Sequence, residues 1–174
     1  MRNLVKLFAV MLFTVSAVTV VNAQTLKFGH IDLQALVQVM PERAAAEEEF
    51  NTFQGELEEI LGEMQQDYQT KLSEFEQMGS DISEIKRNAK VAEIQDIQQR
   101  IQNYQVTAQQ QIQQKQNELL APVFEKAENA IEEVAKEKGL IYVFDSGQGN
   151  RTILYKSNQS LDILPLVKTK LGIE

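Results

Sequence analysis

Few residues of this chain could carry out catalysis or bind a metal ion. Among its 174 residues there is no cysteine and only one histidine, His30. The chain therefore lacks a thiolate nucleophile and a second imidazole for a transition metal. The segment from Gly147 to Gly149 has no lysine of the kind that a phosphate-binding loop needs, and it joins two apolar segments, which favours a turn. We expect no catalytic residues, no metal site and no cofactor.

Acidic side chains dominate the charge. The sequence has 25 acidic and 17 basic residues, and its formal net charge is −8. Runs such as Glu47 to Glu49 lack the loop spacing and the glycine of a calcium site, so they are typical of a solvated helix face. Because a strongly acidic protein repels phosphate backbones, we expect no nucleic-acid partner.

Most of the chain has the pattern of a long helical hairpin. Apolar residues recur every three or four positions from Phe50 to Met78, and a second series runs from Ile82 to Ile112, which predicts two helices with facing seams. Between them, Gly79 is followed by Asp81 and by Glu84 three positions later, the pattern of a capping box. The sequence therefore predicts antiparallel helices over residues 42–78 and 81–138, with the tip near 79–81.

The returning helix is about twenty residues longer than the outgoing one, and its extra part is strongly apolar from Leu119 to Ala135. We expect that part to pack on a small sheet. Residues 26–33, 140–144 and 151–156 are predicted strands, the last two forming a hairpin. Asp32 is the predicted cap of a short helical turn, and Asp162 that of a C-terminal helix over residues 163–171.

A small β-body of this kind cannot cover its own apolar strands. The continuous run from Leu140 to Phe144 implies burial on both faces, which three short strands and one packed helix do not provide. We therefore predict an α+β fold whose body oligomerises, with one long coiled-coil arm per subunit. The candidate residues of the oligomerisation core are Phe28, Ile31, Leu33, Ile141, Val143, Ile153 and Tyr155.

The N-terminus has the features of a secretory signal peptide. Arg2 and Lys6 precede an uncharged stretch from Leu7 to Val21, and small residues end it at Ala23, where we expect cleavage. The stretch is too short for a membrane anchor, which needs ~20 apolar residues. We divide the chain into a signal peptide (1–23), a body (24–41 and 119–174) and an arm (42–118), and we expect the mature protein to be soluble.

Several segments together resemble the Skp/OmpH family. The resemblance rests on the signal peptide, the first strand from Lys27 to Asp32, the turn from Met40 to Glu42, the helical hairpin, and the tail from Ile153 to Lys156 with Ser160 to Ile163. It covers essentially the whole mature chain, although no short motif is diagnostic. It implies an ATP-independent periplasmic holdase that is a homotrimer and binds unfolded outer-membrane proteins between its arms. The residues alone predict an oligomer; the number three comes from the resemblance.

The charge of the arm departs from the family, whose best-known members are basic. Residues 42–121 include 16 acidic and 7 basic residues, a net charge of −9. Only Lys86, Arg87 and Lys90 form a positive patch, just beyond the tip. This patch is a candidate contact for a client or for a membrane surface, and an ordinary solvated helix end is the alternative. Lipopolysaccharide binding is not predicted from these arms.

Two other functions are alternatives to a chaperone, and the sequence supports each of them less well. A hairpin of this length also occurs in envelope spacers and adaptors that dock tip-first on another coiled coil. Such proteins usually carry further domains for which this chain is too short. A hydrolase or a lectin-like binder would need converging polar residues around a pocket, and the sequence contains no such group.

Overall fold

The computed structural model describes residues 26–79, 82–147 and 153–173. The elements follow in the order β1 (Phe28–Ile31), α1 (Leu33–Gln38), α2 (Pro41–Gln77), α3 (Glu84–Lys138), β2 (Tyr142–Asp145), β3 (Leu161–Asp162) and α4 (Leu164–Leu171). Two long helices and a small three-stranded sheet make this an α+β fold with a helical arm, as the sequence predicted. The predicted signal peptide lies outside the described residues.

Asp32 ends the first strand and starts the first helix. Its Oδ1 accepts a hydrogen bond of 2.9 Å from the N–H of Ala35, which satisfies one of the unpaired donors of a helix N-terminus. The strand is consequently shorter than the predicted 26–33. Met40 is extended and Pro41 occupies the first turn of α2, a position that needs no N–H donor.

The turn at the arm tip differs from its prediction at the cap. Gly79 has the predicted left-handed conformation, with φ of 62°. The cap of α3, however, is Ser83, whose Oγ accepts a hydrogen bond from the N–H of Lys86. Helix α3 therefore begins at Glu84, and a helix from residue 81 with a capping box is wrong. Asp81 itself lies outside the described residues.

Side chains pair α2 with α3 along the whole arm. Lys126 forms an ion pair with Glu42, Lys115 with Glu49 at 2.7 Å, and Lys71 with Glu93 at 3.8 Å. The partners advance along α2 as they recede along α3, which is the order of antiparallel helices. Leu57 and Ile97 are buried between the two helices.

The extra length of α3 supports the body. This helix has 55 residues and α2 has 37. Because Lys126 pairs with Glu42 near the start of α2, about 12 residues of α3, or ~18 Å, extend beyond that point. The core residues at this end of α3 are Val123, Ala127, Ala130 and Val134. Of the predicted apolar stripe, Val123, Ala127 and Val134 are buried, Leu119 and Ile131 are partly buried against the core, and Phe124 is exposed.

The sheet is parallel, so the predicted hairpin is wrong. Strand β1 lies in the middle and pairs with β2 from Phe28–Tyr142 to Ile31–Asp145, and with β3 at Gly29–Leu161 and His30–Asp162. The whole helical arm connects β1 to β2, a crossover of the length that a parallel pair requires. Residues 153–156 are not in a strand, and Arg151 and Thr152 lie outside the described residues.

The C-terminal helix begins one residue later than predicted. Ile163 occupies the cap position, and Asp162 contributes through its Oδ1, which accepts a hydrogen bond of 3.0 Å from the N–H of Leu164. Gly172 ends α4 with φ of 71°. Within the described ranges, none of the helices is both long and apolar enough to cross a membrane.

Candidate functional site

Three aromatic rings cover one face of the sheet. Phe28 in β1 lies opposite Tyr142 in β2, and Phe144 follows on the same face of β2 because side chains alternate along a strand. The ring centres are 5.8 to 6.5 Å apart, and the rings are nearly parallel. All three side chains are 40% or more exposed. We refer to Phe28, Tyr142 and Phe144 as the aromatic face.

An apolar groove continues from the aromatic face. It has a volume of about 590 Å³, and residues 153–157 form one of its walls. In this wall Leu154 and Tyr155 are 93% and 83% exposed. Large apolar side chains exposed together are typical of a surface that another molecule covers.

His30 lies at the base of this groove and is only 7% exposed. Its Nδ1 is 2.9 Å from the Oγ of Ser160, so the buried imidazole has a hydrogen-bond partner within the fold. In the part of the chain that the structure describes, no three histidine, cysteine, aspartate or glutamate residues are grouped as a metal site.

The candidate oligomerisation residues are found in two environments. Ile31 is buried in the core of the chain itself, and Leu33 and Val143 pack against that core. Phe28, Ile141 and Tyr155 are exposed, and Ile153 lines the groove. The first three therefore stabilise the single subunit, whereas the other four lie on the surface available to a second molecule.

The oligomerisation core predicted from the sequence did not include Tyr142, Phe144 and Leu154, which lie on the aromatic face or in the adjoining groove. Tyr142 and Phe144 belong to a run that was predicted as a strand, and their spacing of two was the signal that they share a face. Helix α3 packs against Val143 on the opposite side of the sheet, so the side that carries Tyr142 and Phe144 is left exposed.

The positive patch near the arm tip is partly engaged within the arm. Arg87 donates a hydrogen bond of 3.3 Å to the carbonyl of Gly79, and its guanidinium lies 5.9 Å from the centre of the Phe75 ring. Lys90 lies 2.6 Å from Glu93, and this hydrogen bond raises the pKa of the lysine. Lys86 is exposed and takes part in none of the ion pairs between described residues. The patch therefore presents less positive charge than its sequence suggests.

The negative charge of the arm lies almost entirely on one helix. Helix α2 has 11 acidic and 2 basic residues, a net charge of −9. The part of α3 from Glu84 to Glu118 has 4 acidic and 5 basic residues, and it contains the 11 glutamines between residues 95 and 116. One side of the hairpin is consequently acidic and the other is almost neutral and rich in amides.

The acidic side chains of α2 repel one another, and ion pairs between the two helices offset part of that repulsion. A hydrogen bond from Lys126 holds the pKa of the Glu42 carboxyl below its usual value. A hydrogen bond to Glu49 raises the pKa of Lys115. Exposed pairs of this kind contribute little individually, so these ion pairs stabilise the arm only modestly.

Comparisons with known proteins identify one family. A family model described as "OmpH: Outer membrane protein (OmpH-like)" matches residues 27–171. A search of curated proteins found no match.

Proposed function

Because the chain belongs to the OmpH-like family, we propose that it is a holdase chaperone for unfolded outer-membrane β-barrel proteins. It keeps them from aggregating in the periplasm, after its own signal peptide has been removed behind Ala23. It works without ATP, without a cofactor and without catalysing a reaction.

The observation that carries this proposal is the contrast between a small body and a very long arm. Of the buried apolar residues in the described ranges, only Ala46, Leu57 and Ile97 lie along the hairpin between its base and its tip. An arm of 37 residues on one side, ~55 Å long, thus encloses little core and is mainly surface. Such a shape suits a protein that surrounds another polypeptide.

We propose that three copies assemble through the aromatic face and the adjoining groove. Burial of Phe28, Tyr142 and Phe144 between subunits removes apolar surface from water at roughly 25 cal/mol per Å². The two outer strands, β2 and β3, also leave sheet edges that a neighbouring copy can cover. The arms then project from one base and enclose an open space.

In this arrangement an unfolded client is held by many weak contacts. Its exposed strands cannot meet those of another client molecule, which is the step that leads to aggregation. Release requires no nucleotide, since each contact is weak and the folded barrel no longer presents the same segments.

The test is suppression of aggregation of a urea-unfolded outer-membrane protein on dilution, without ATP. We expect light scattering to fall to the level of a folded control at one chaperone trimer per client. A cysteine-free helical protein of similar charge serves as the control. If scattering is unchanged at a several-fold excess of the chain, the holdase function is wrong and a structural spacer becomes the better description.

A further inference from the structure

A line of clefts follows one side of the hairpin. The first has a volume of about 470 Å³ and lies between α2 and α3, with Leu57, Leu61 and Ile112 as its apolar floor. The second, of about 230 Å³, has Phe50, Leu119 and Leu120 in its floor. The third, of about 340 Å³, reaches the body at Val37 and Phe124.

These clefts follow one another along the hairpin, and we refer to them together as the arm groove. The second and third share Arg43 and Leu120. The first and second are one helical turn apart, because Asn51 lines one and Gln54 the other, and residues three or four apart lie on the same side of a helix. From Arg43 to Leu61 the groove extends ~27 Å along α2.

Amide side chains form the rim of this groove. Gln54, Gln105 and Gln109 line the first cleft, and Asn51 and Gln116 line the second. Two further glutamines, Gln34 and Gln38, line the third. Only a few charged side chains line the groove, namely Arg43, Glu47, Glu58 and Asp145.

An apolar floor with an amide rim complements an extended polypeptide. Each residue of an unpaired strand offers one N–H donor and one C=O acceptor, and a glutamine side chain offers both an acceptor and two donors. Side chains of a strand alternate between two faces, so every second one can enter the floor. The match does not depend on the charge of the bound segment.

We propose that this groove binds one extended segment of an unfolded client, about eight residues with alternating apolar and polar side chains. The proposal rests on the proposed holdase function and names the chemistry that the arm recognises. Alternation over roughly ten residues is the pattern of a membrane-spanning β-strand. Three of the 11 glutamines of α3 between residues 95 and 116, namely Gln105, Gln109 and Gln116, line this groove, and their amides can hydrogen-bond to any backbone.

Two sets of glutamines on α3 allow a matched experiment. Gln105, Gln109 and Gln116 line the groove, whereas Gln110, Gln111 and Gln114 are exposed and line none of the three clefts. Each set is replaced by methionine, which has a similar helix propensity and shape but lacks the amide. A groove that is only apolar would bind more tightly after this change, and one that uses hydrogen bonds would bind more weakly.

The measurement is the dissociation constant of the full-length protein for a urea-unfolded outer-membrane protein. We expect the groove variant to bind roughly tenfold more weakly and the control variant to bind as the wild type does. Equal or tighter binding by the groove variant, or an equal loss in both variants, would overturn the proposal. So would a changed solution mass of the groove variant, because the groove would then be a contact between copies of the chain.

A second measurement uses the wild-type protein alone, so it does not depend on the folding of any variant. A peptide of about ten residues alternating Leu and Ser is compared with the same peptide N-methylated at every second residue, which removes backbone donors. We expect the methylated peptide to bind about tenfold more weakly, and equal binding would overturn the proposal. If the wild type holds no client at all, the holdase function itself has failed; if it holds clients but both comparisons show no difference, only the groove has failed.

Discussion

Gly29 in the central strand is closely packed by the side chains of Leu140 and Val143. A Cβ atom at this position would lie 2.6 Å from Cδ1 of Leu140 and 3.4 Å from Cγ2 of Val143. At Gly62 in α2, by contrast, an added Cβ would meet no atom within 4 Å. The same substitution should therefore have opposite effects at the two sites.

We predict that Gly29→Ala lowers the free energy of unfolding by about 1–3 kcal/mol, because the core must shift to admit the methyl group. Gly62→Ala, the control, should raise it by up to about 1 kcal/mol through helix propensity. Urea unfolding at one fixed protein concentration measures both values. A Gly29→Ala variant as stable as the wild type would show that Leu140 moves aside without cost.

The ion pair between Glu42 and Lys126 joins the base of the arm to the body and should make stability depend on pH. The pKa of Glu42 is lowered in the folded protein, so its contribution is complete above the unfolded pKa of about 4.3. It is lost as the pH falls through the lower, folded value.

We predict that Lys126→Met destabilises the protein at pH 6 by no more than about 1 kcal/mol, since the pair is partly exposed. The difference from the wild type should shrink as the pH falls below 4. Thermal unfolding of both proteins from pH 6 to pH 3 measures it. A difference that stays constant over this range would mean that Lys126 contributes through packing and not through its charge.

At the scale of the elements, the two helices of the arm have different properties although they are paired. Helix α2 holds most of the acidic residues of the arm and two exposed glycines, Gly55 and Gly62. Helix α3 is almost neutral and continues into the core. We infer that the two glycines soften α2, because each lowers helix stability by about 1 kcal/mol relative to alanine; a tolerated surface glycine is the alternative.

Replacement of Gly55 and Gly62 together by alanine should narrow the range of client sizes that are held. Neither added methyl group meets a neighbour within 4 Å, so the change acts on helix stiffness alone. Aggregation assays with small and large outer-membrane proteins measure the range. The control is Thr52→Ala, which raises helix propensity on the same helix without removing a glycine, and an unchanged client range in the double variant would disprove the softening.

At the scale of the whole molecule, the body buries its core on one side of the sheet and exposes aromatic rings on the other. The core side is covered by α3, and the aromatic face has no cover within the described chain. A single subunit therefore leaves these three rings 40% or more exposed to water, which is the physical reason for the proposed assembly.

We predict that replacing Phe28, Tyr142 and Phe144 by serine converts the proposed trimer to monomers while the arm stays helical. Sedimentation equilibrium measures the mass, and circular dichroism measures the helix content. The control replaces Ile60, Ile85 and Val106, which are exposed on the arm, by serine and should leave the mass unchanged. A wild-type protein that is monomeric at micromolar concentration would contradict the proposed assembly outright.

The helices of this protein follow closely from its sequence. The positions of Pro41 and Gly79 and the spacing of the seams predicted both arm helices to within a few residues, and Gly172 predicted the end of α4. Caps, turns and helical periodicity depend on near neighbours. The choice of Ser83 over Asp81 as a cap was not predictable in this way. Both residue types cap helices well, and the path of the turn decides between them.

The sheet and the exposed surface depend on residues far apart in the chain. Whether β2 pairs with β1 or with the segment after it, and which side of the sheet α3 covers, depends on contacts across more than a hundred residues. An apolar strand has the same sequence pattern in either pairing, so the pattern does not distinguish the two arrangements. The sequence alone therefore determined the arm, its length and its acidic character. Only the tertiary structure decided that the strands are parallel, that Ile31 faces inward, and that Phe28, Tyr142 and Phe144 face outward. The reason is that the burial of a residue depends on the elements that pack against it and not on the residue type alone.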